Sequence, residues 1–421
     1  MEKDINRIKA IKAIQKKLLG KKLTYKEIYT LMNEIGREKL SEVLTTYFVA
    51  ASFKEGFTSE ELYHFTKAMV ETGTKLHFKG IVADKHSTGG VAGTRTTMII
   101  VPIIAAAGFT IPKTSSRAIT SPAGTADVME ILAPVTFTVK QIEKIVSKTG
   151  GCIVWGGHLG IAPADDVIIN VEEELAFESF DKIIVSIMAK KVAVSTNHLV
   201  LDIPVGNTMK IKRFQDAEKI ANKFKNLGKR FGIEVVTDIN PTFEPAGNGV
   251  GVALEALDVL YVLEQNKERA LPLETKALRL AGKLLDICFK DAKIKKNGED
   301  EAKKILYDGR ALQKLREIIK IQGGNDQVSA EKLKAKTCKQ RGVVKSKSSG
   351  KIKGVNNFNL NMIAKLLGAP DDKCAGVFLH KKIDDKIERN EPLLEFHCKD
   401  SYKLKEAEVS ILNFPVYEIE N

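Results

Sequence analysis

The stretch 84–127, DKHSTGGVAGTRTTMIIVPIIAAAGFTIPKTSSRAITSPAGTAD, constrains this chain more than any other. Its middle (98–107) is apolar, and glycines and small hydroxyl-bearing residues crowd both ends. Glycine lets a backbone N–H approach a ligand closely, and Ser, Thr and Lys add donors. Lys85 followed by His86-Ser87-Thr88-Gly89-Gly90 therefore has the chemistry of an anion cradle. The other end, Thr114-Ser115-Ser116-Arg117-Ala118-Ile119-Thr120-Ser121, repeats that chemistry with an arginine and runs into Pro122-Ala123-Gly124-Thr125. Two donor-rich loops joined by a buried element point to two phosphates, or a phosphate and a sugar, held side by side. The plainer alternative is a pair of Gly/Ser turns around one core helix.

A chain of 421 residues can hold two or three domains, and 43% hydrophobic with 28% charged residues is ordinary for a soluble globular protein. No apolar run approaches the twenty or so residues of a membrane span. The N-terminal MEKDINRIKAIKAIQKKLLG lacks the apolar core and cleavage site of a secretion signal, so the cytoplasm is the expected location. Five scattered cysteines, odd in number and never in a C-x-x-C pair, argue against a disulfide framework and a zinc site. His380 and His397 lie near Cys374 and Cys398 but form no ligand array, which makes them structural or solvated. The net charge of +13 favours anionic partners. Nine Lys or Arg residues fall in 332–353 with no aromatic between them, so this run reads as a solvated basic linker and nucleic acid is an improbable partner.

Residues 1–72 read as all-helical: Ile5, Ile8, Ile11, Ile14 and Leu18 recur at helical spacing, and capping-box starts occur at Thr24…Glu27 and Thr58…Glu61. Beyond Ile81, short apolar runs (101–108, 151–155, 198–205, 232–238) alternate with helical stretches such as 181–191 and 213–231. That alternation predicts an α/β layer with a mainly parallel sheet. The segment 248–252 reads as a Gly-rich turn, 265–322 as mainly helical, and 376–399 as short strands. The expected fold is α/β, in three parts. A helical domain covers 1–72, with 165–192 packing on it. A larger α/β phosphate-binding domain covers 73–164 and 193–331. A basic linker (332–344) then leads to a small C-terminal β-rich domain (345–421).

Candidate chemistry gathers around the two loops. His86, wedged between a lysine and small residues, is a titratable group at the loop edge. Ser115, Ser116 and Thr125 can donate to phosphate or ribose oxygens, Arg117 can add a bidentate contact, and Thr96 and Thr97 can donate or merely cap a helix. Asp165, Asp166, the run Glu172-Glu173-Glu174 and Glu178 are candidates for acid chemistry, although an acidic run is commonly a solvated face.

Four segments, DKHSTGGV (84–91), KTSSRAITSPAGTADVMEILAPV (113–135), SIMAKK (186–191) and DIPVGNTMK (202–210), resemble the thymidine phosphorylase superfamily, and within it the archaeal-type AMP phosphorylases. The likeness runs from about residue 5 through the tail, where GVFLHKKIDDKIERNEPLLEFHC is similar to the family's C-terminal β-rich domain. It implies a pentosyltransferase that uses inorganic phosphate as co-substrate and no resident cofactor or metal, apart from a possible monovalent cation near Glu255. A nucleoside 5′-monophosphate, AMP-like with CMP and UMP as further options, would give free base and ribose 1,5-bisphosphate. The alternative is a pyrimidine nucleoside phosphorylase giving (deoxy)ribose 1-phosphate. Phosphate contacts carry over to Lys85, Ser87, Ser115 and Thr125. Nucleotide contacts carry over to Gly90, Ser116, Arg117, Ala118, Ile119, Thr120, Ser121, Thr125, Ser186 and Lys210.

The likeness has departures. The proton donor of the AMP enzymes is an aspartate, and Glu178 stands at that position, with His86 as the other candidate. Those enzymes also carry an extra N-terminal domain, so the expected assembly here is the homodimer of the shorter members. Pyrimidine-specific members hold the base with a tyrosine and an arginine, where this chain has Ile169 and Glu172. Losing the arginine removes a charge-assisted hydrogen bond of roughly 1.5–3 kcal/mol, which favours purine or broad specificity. Anthranilate phosphoribosyltransferase-like proteins share similar loops, but they need a magnesium–pyrophosphate site whose paired acids have no evident place here.

Overall fold

The sequence-marked helix starts are real starts. In the computed structural model, which describes residues 2–118, 121–175, 179–335 and 337–420, both capping boxes form. Thr24 opens the helix Tyr25–Gly36 with Glu27, and Thr58 opens Ser59–Glu71 with Glu61. With Glu2–Leu18 and Glu42–Glu55 these helices bury Ile28, Leu31, Met32, Ile35, Phe48 and Phe65, and Phe57 stacks on Phe65 at 4.5 Å. They belong to a compact unit made of Met1–Asp84, Gly156–Leu199 and Glu218–Val236, which includes the helices Pro163–Leu175 and Phe180–Ala193. Gly73 shows how tightly its segments cross. A Cβ there would sit 2.2 Å from the Ile161 carbonyl oxygen, while the next residue, Thr74, donates its N–H to Gly160 O at 2.8 Å.

The second unit comprises Lys85–Trp155, Val200–Ala217 and Thr237–Asn421. The strand Ile111–Ser115 pairs in parallel with Gly151–Trp155, in register from Ile111↔Gly151 to Ser115↔Trp155. Ala83–Ser87, His198–Val205 and Glu234–Pro241 form a three-stranded sheet in that order. Helices Leu271–Asp291, Gly298–Tyr307 and Arg310–Ile321 follow the helical expectation for 265–322. These elements agree with the expected α/β architecture: a helical part, an α/β body, and a C-terminal part with antiparallel strands.

Three local expectations are corrected. The run 101–108 is not a strand but the second half of the helix Thr97–Ala106, buried along nearly its whole length. It packs against Leu271–Asp291 and Arg310–Ile321, so no polar face remains to display the helical period. The glycine turn at 248–252 contains the short strand Gly249–Val250, which forms the edge of a four-stranded antiparallel sheet with Gly376–Leu379, Pro392–Cys398 and Gln340–Lys345. The span 332–344 is no bare linker. It holds the end of the helix Ala330–Lys334 and most of the strand Gln340–Lys345.

Contrary to the expectation from the cysteine pattern, Cys338 and Cys374 form a disulfide with Cα atoms 5.1 Å apart. Strands Gln340–Lys345 and Gly376–Leu379 both run antiparallel to Pro392–Cys398, so their starts lie at the same end of the sheet. Each cysteine precedes its strand by two residues. Sequence spacing carries no trace of that closeness.

Candidate active site

The first loop leaves the strand Ala83–Ser87, which carries Lys85 (buried) and His86 (half-buried) to the glycines. Gly89 and Gly90 have φ of +85° and +88°, a region open to glycine at little cost. Lys210 is brought to this loop: a Cβ on Gly90 would lie 3.2 Å from its Cγ. Ser87 Oγ donates to Asp202 Oδ2 at 3.1 Å, and Asp202 also accepts from Asn240 Nδ2 at 2.9 Å. Lys276 Nζ completes that buried knot at 3.1 Å from Asp202 Oδ1. Two buried hydroxyls, Thr88 Oγ1 and Thr96 Oγ1, have no hydrogen-bond partner among the described residues. Thr96 is the N-cap of Thr97–Ala106 but makes no side-chain cap bond, so it is not acting as an ordinary cap. An unmet buried hydroxyl costs about 1–3 kcal/mol. Sequence reasoning missed Asn357, whose Nδ2 donates to Gly90 O at 2.5 Å and whose Oδ1 accepts from Ala92 N at 2.9 Å.

The second loop leaves the parallel strand Ile111–Ser115 and enters the helix Thr125–Glu130. Ser115 Oγ approaches Ser116 O at 3.4 Å, Ser116 is exposed, and Ser121 Oγ donates to Ala123 O at 2.9 Å. Ile119 and Thr120 lie outside the described residues. The Arg117 guanidinium is engaged inside the protein. It forks onto Glu130 at 2.8 and 2.7 Å, reaches Asp127 at 3.0 Å, and lies over the Trp155 ring at 4.8 Å. Arg117 holds the Glu130 carboxyl down at about 2. Asp127 Oδ2 in turn accepts from Ala118 N at 2.6 Å and Gly124 N at 2.9 Å, which closes the loop on itself. Gly124 is forced there, since a Cβ would fall 2.3 Å from the Arg117 carbonyl carbon. Thr125 Oγ1 accepts from Arg95 Nη1 at 3.0 Å.

The remaining candidates belong to the first unit. Asp165 collects Ser186 Oγ at 2.7 Å and Lys190 Nζ at 2.8 Å. Burial pushes the neighbouring Asp166 carboxyl up to about 6, with Lys190 opposing and Asp165 adding to the rise. Glu172 is buried and paired with Lys182 at 2.8 Å, so it is not part of a solvated acidic face. Glu178 lies outside the described residues. In the second unit, His397 and His380 both face Glu395, at 3.1 and 3.6 Å, and burial holds His397 down near 4.

Three family models cover nearly the whole chain. The helical bundle domain of a glycosyl transferase family matches residues 11–73 and its α/β domain matches 79–312, while a pyrimidine nucleoside phosphorylase C-terminal domain matches 351–415. An AMP phosphorylase of Thermofilum pendens is 44% identical over 95% of this chain and 76% of its own length. AMP phosphorylase 1 of Archaeoglobus fulgidus is 41% identical over 95% and 78%. A putative thymidine phosphorylase of Legionella pneumophila is 38% identical over 95% and 76%. Among solved structures, anthranilate phosphoribosyltransferase of Thermus thermophilus shares the fold, with a TM-score of 0.59 and 17% identity over 74% of this chain and 99% of that one. Helical bundle, α/β body and paired loops thus define a glycosyl transferase. The chain belongs to the thymidine/AMP phosphorylase superfamily.

Proposed function

We propose that this enzyme catalyses phosphorolysis of a nucleoside 5′-monophosphate, AMP above all. A phosphate oxygen bonds to C1′ of the ribose, and the C1′–N bond breaks with its electron pair going to the base. A protein acid protonates the departing nitrogen, leaving free base and ribose 1,5-bisphosphate. The observation that carries this reading is the pair of strand–loop–helix segments in one unit, each presenting glycines, hydroxyls and a helix start. Such loops suit a nucleophilic dianion that must also stabilise oxocarbenium charge. The relatives named AMP phosphorylase, 40–44% identical over nearly the whole chain, favour a nucleotide substrate over a nucleoside.

In this reading Lys85, Ser87, Ser115 and Thr125 hold the attacking phosphate, with the buried hydroxyls of Thr88 and Thr96 as added donors. Gly90, 116–121, Thr125, Ser186 and Lys210 serve the nucleotide. The structure bears on how they serve. With the Arg117 fork given to Glu130, an anion there is served by the exposed Ser116 rather than by the guanidinium, and Arg117 acts by shaping the loop. Glu172, tied to Lys182, is not presented as a base-reading group, in keeping with purine or broad specificity. Glu178 donates the proton, with His86 the alternative. The protein works as a cytoplasmic homodimer.

Purified protein incubated with inorganic phosphate and AMP, adenosine, CMP, UMP or thymidine, with free base measured, tests the proposal. Adenine release from AMP is expected, and release from thymidine alone would sink it. In the same assay Glu178→Gln lowers kcat by about 100-fold or more while His86→Ala lowers it less. A negligible effect of both places the acid elsewhere.

A further inference from the structure

Glu255 is where the resemblance allows a bound monovalent cation, and the structure gives its carboxylate a cation built into the chain. The Glu255 side chain is 1% exposed. Its Oε2 accepts twice from the Arg95 guanidinium, from Nε at 2.8 Å and Nη2 at 2.5 Å, and its Oε1 accepts from Gly251 N at 3.3 Å. The neighbouring acceptors are taken as well. The Lys382 ammonium donates to Pro245 O at 2.8 Å and Gly247 O at 2.5 Å. Asp258, one turn after Glu255, accepts from Asn248 N and Gly249 N, both at 2.7 Å. Within this buried cluster the guanidinium already balances Glu255. A metal cation on the same oxygens would meet that charge at contact distance, where the protein interior screens poorly. The residues around Glu255 do not fit an added cation.

We infer that Arg95 is this enzyme's own cation at Glu255 and that it positions Thr125 to donate a hydrogen bond to phosphate, an inference that rests on the phosphorolysis reading. A guanidinium has donors only. Thr125 Oγ1 therefore accepts from Arg95 Nη1, at 3.0 Å, and its own proton is left for another acceptor. Arg95 Nη2 also holds the Ala123 carbonyl at 2.7 Å, which occupies a loop oxygen that would otherwise repel an anion. One residue thus joins the turn after the first loop, the end of the second loop and the buried helix Val252–Leu263. Arg95 touches no reacting atom in this scheme; it acts through Thr125 and the loop.

The test compares AMP phosphorolysis and thermal melting in potassium, sodium and tetramethylammonium buffers of equal ionic strength. The wild-type protein should turn over and melt alike in all three, within about twofold in rate. Arg95→Ala should raise the KM for phosphate about tenfold or more, with a smaller effect on kcat, as loss of a charge-assisted hydrogen bond implies. Added guanidinium or potassium should restore part of that loss and raise the variant's melting temperature. Arg95→Lys, which keeps the charge and loses the fork, should fall between. A wild type that needs potassium for rate or stability overturns the inference, and so does a variant with an unchanged phosphate KM. If the wild type releases no base in any salt, the phosphorolysis reading has failed instead, and the melting series still decides whether Glu255 takes an external cation. If Arg95→Ala does not fold, Arg95→Lys and the wild-type salt series decide.

Discussion

In the proposed phosphate site Ser87 and Thr125 are both small hydroxyls, yet their neighbours set them in opposite senses. Asp202, an acceptor when ionised, takes the Ser87 proton, whereas Arg95, a donor only, takes a Thr125 lone pair. In that proposal a phosphate oxygen competes with Asp202 for the Ser87 proton, whereas Arg95 leaves the Thr125 proton untaken. Neither sense was legible in the sequence, because Asp202 lies 115 positions from Ser87. Asp166 carries the residue-scale prediction. Its carboxyl is raised from 3.8 to about 6 by burial, so folding favours its protonated form. The stability this contributes is full below about pH 4 and lost as pH rises through 6. Asp166→Asn, which cannot ionise, should match wild type near pH 3.5. Above pH 6.5 it should be more stable by about 1–2 kcal/mol, a figure discounted for the group's partial solvent access. Urea unfolding across that range reads the difference, and a gap that does not grow with pH means Asp166 titrates normally.

At the scale of elements, what the chain announces depends on how local the signal is. Capping boxes are written within four residues, and both formed. The two Gly/Ser loops were equally plain, because glycines and hydroxyls mark a loop wherever it is. The helix Thr97–Ala106 escaped because burial on all sides erased its period, and Gly249–Val250 escaped because its strand partner, Gly376–Leu379, lies more than a hundred residues away. Asn357, gripping the first loop from 265 positions on, has no local signature either. The two capping boxes also differ in a way the sequence does not show. Glu27 pairs with Lys16 at 2.9 Å with both side chains about one-third exposed, whereas Glu61 pairs with Lys17 at 3.1 Å with 3% and 4% exposed. Gln preserves a capping box, so Glu→Gln isolates the ion pair. Glu27→Gln should cost under about 1 kcal/mol, and Glu61→Gln about 3–5 kcal/mol because it strands the buried Lys17 charge. Shifts in the urea midpoint at constant slope measure both. Equal costs would show that Gly56 O, 2.9 Å from Lys17 Nζ, suffices to hold the ammonium.

For the whole molecule, the +13 charge and the expected dimer pull against each other. Part of the basic run at 332–353 is answered locally, with Arg341 on Glu395 at 2.8 Å and Lys351 and Lys353 on Asp384 and Glu420 at 2.6 Å. In Glu2–Leu18, Lys16 and Lys17 are answered in the same way by Glu27 and Glu61, at 2.9 and 3.1 Å, and the helix also carries Arg7, Lys9 and Lys12. Yet this helix and Glu42–Glu55, which pack on each other, leave apolar side chains in water at helical spacing: Ile5 and Ile8, and Val43 and Tyr47. Val43 and Tyr47, 64% and 54% exposed, lie four residues apart and so share one face. Exposed apolar side chains so arranged are what a second copy would cover. A dimer built there is held by apolar burial and opposed by like charge, and salt screens the second term without weakening the first, over a Debye length of about 10 Å at 0.1 M. Light scattering on the purified protein should therefore give twice the chain mass, with dissociation on dilution becoming harder as NaCl rises. Val43→Glu combined with Tyr47→Glu should give a monomer with an unchanged circular dichroism spectrum. A wild-type monomer at micromolar concentration, or a dimer that loosens with salt, would assign association to charge pairing or exclude it, and either result rules out this helical face.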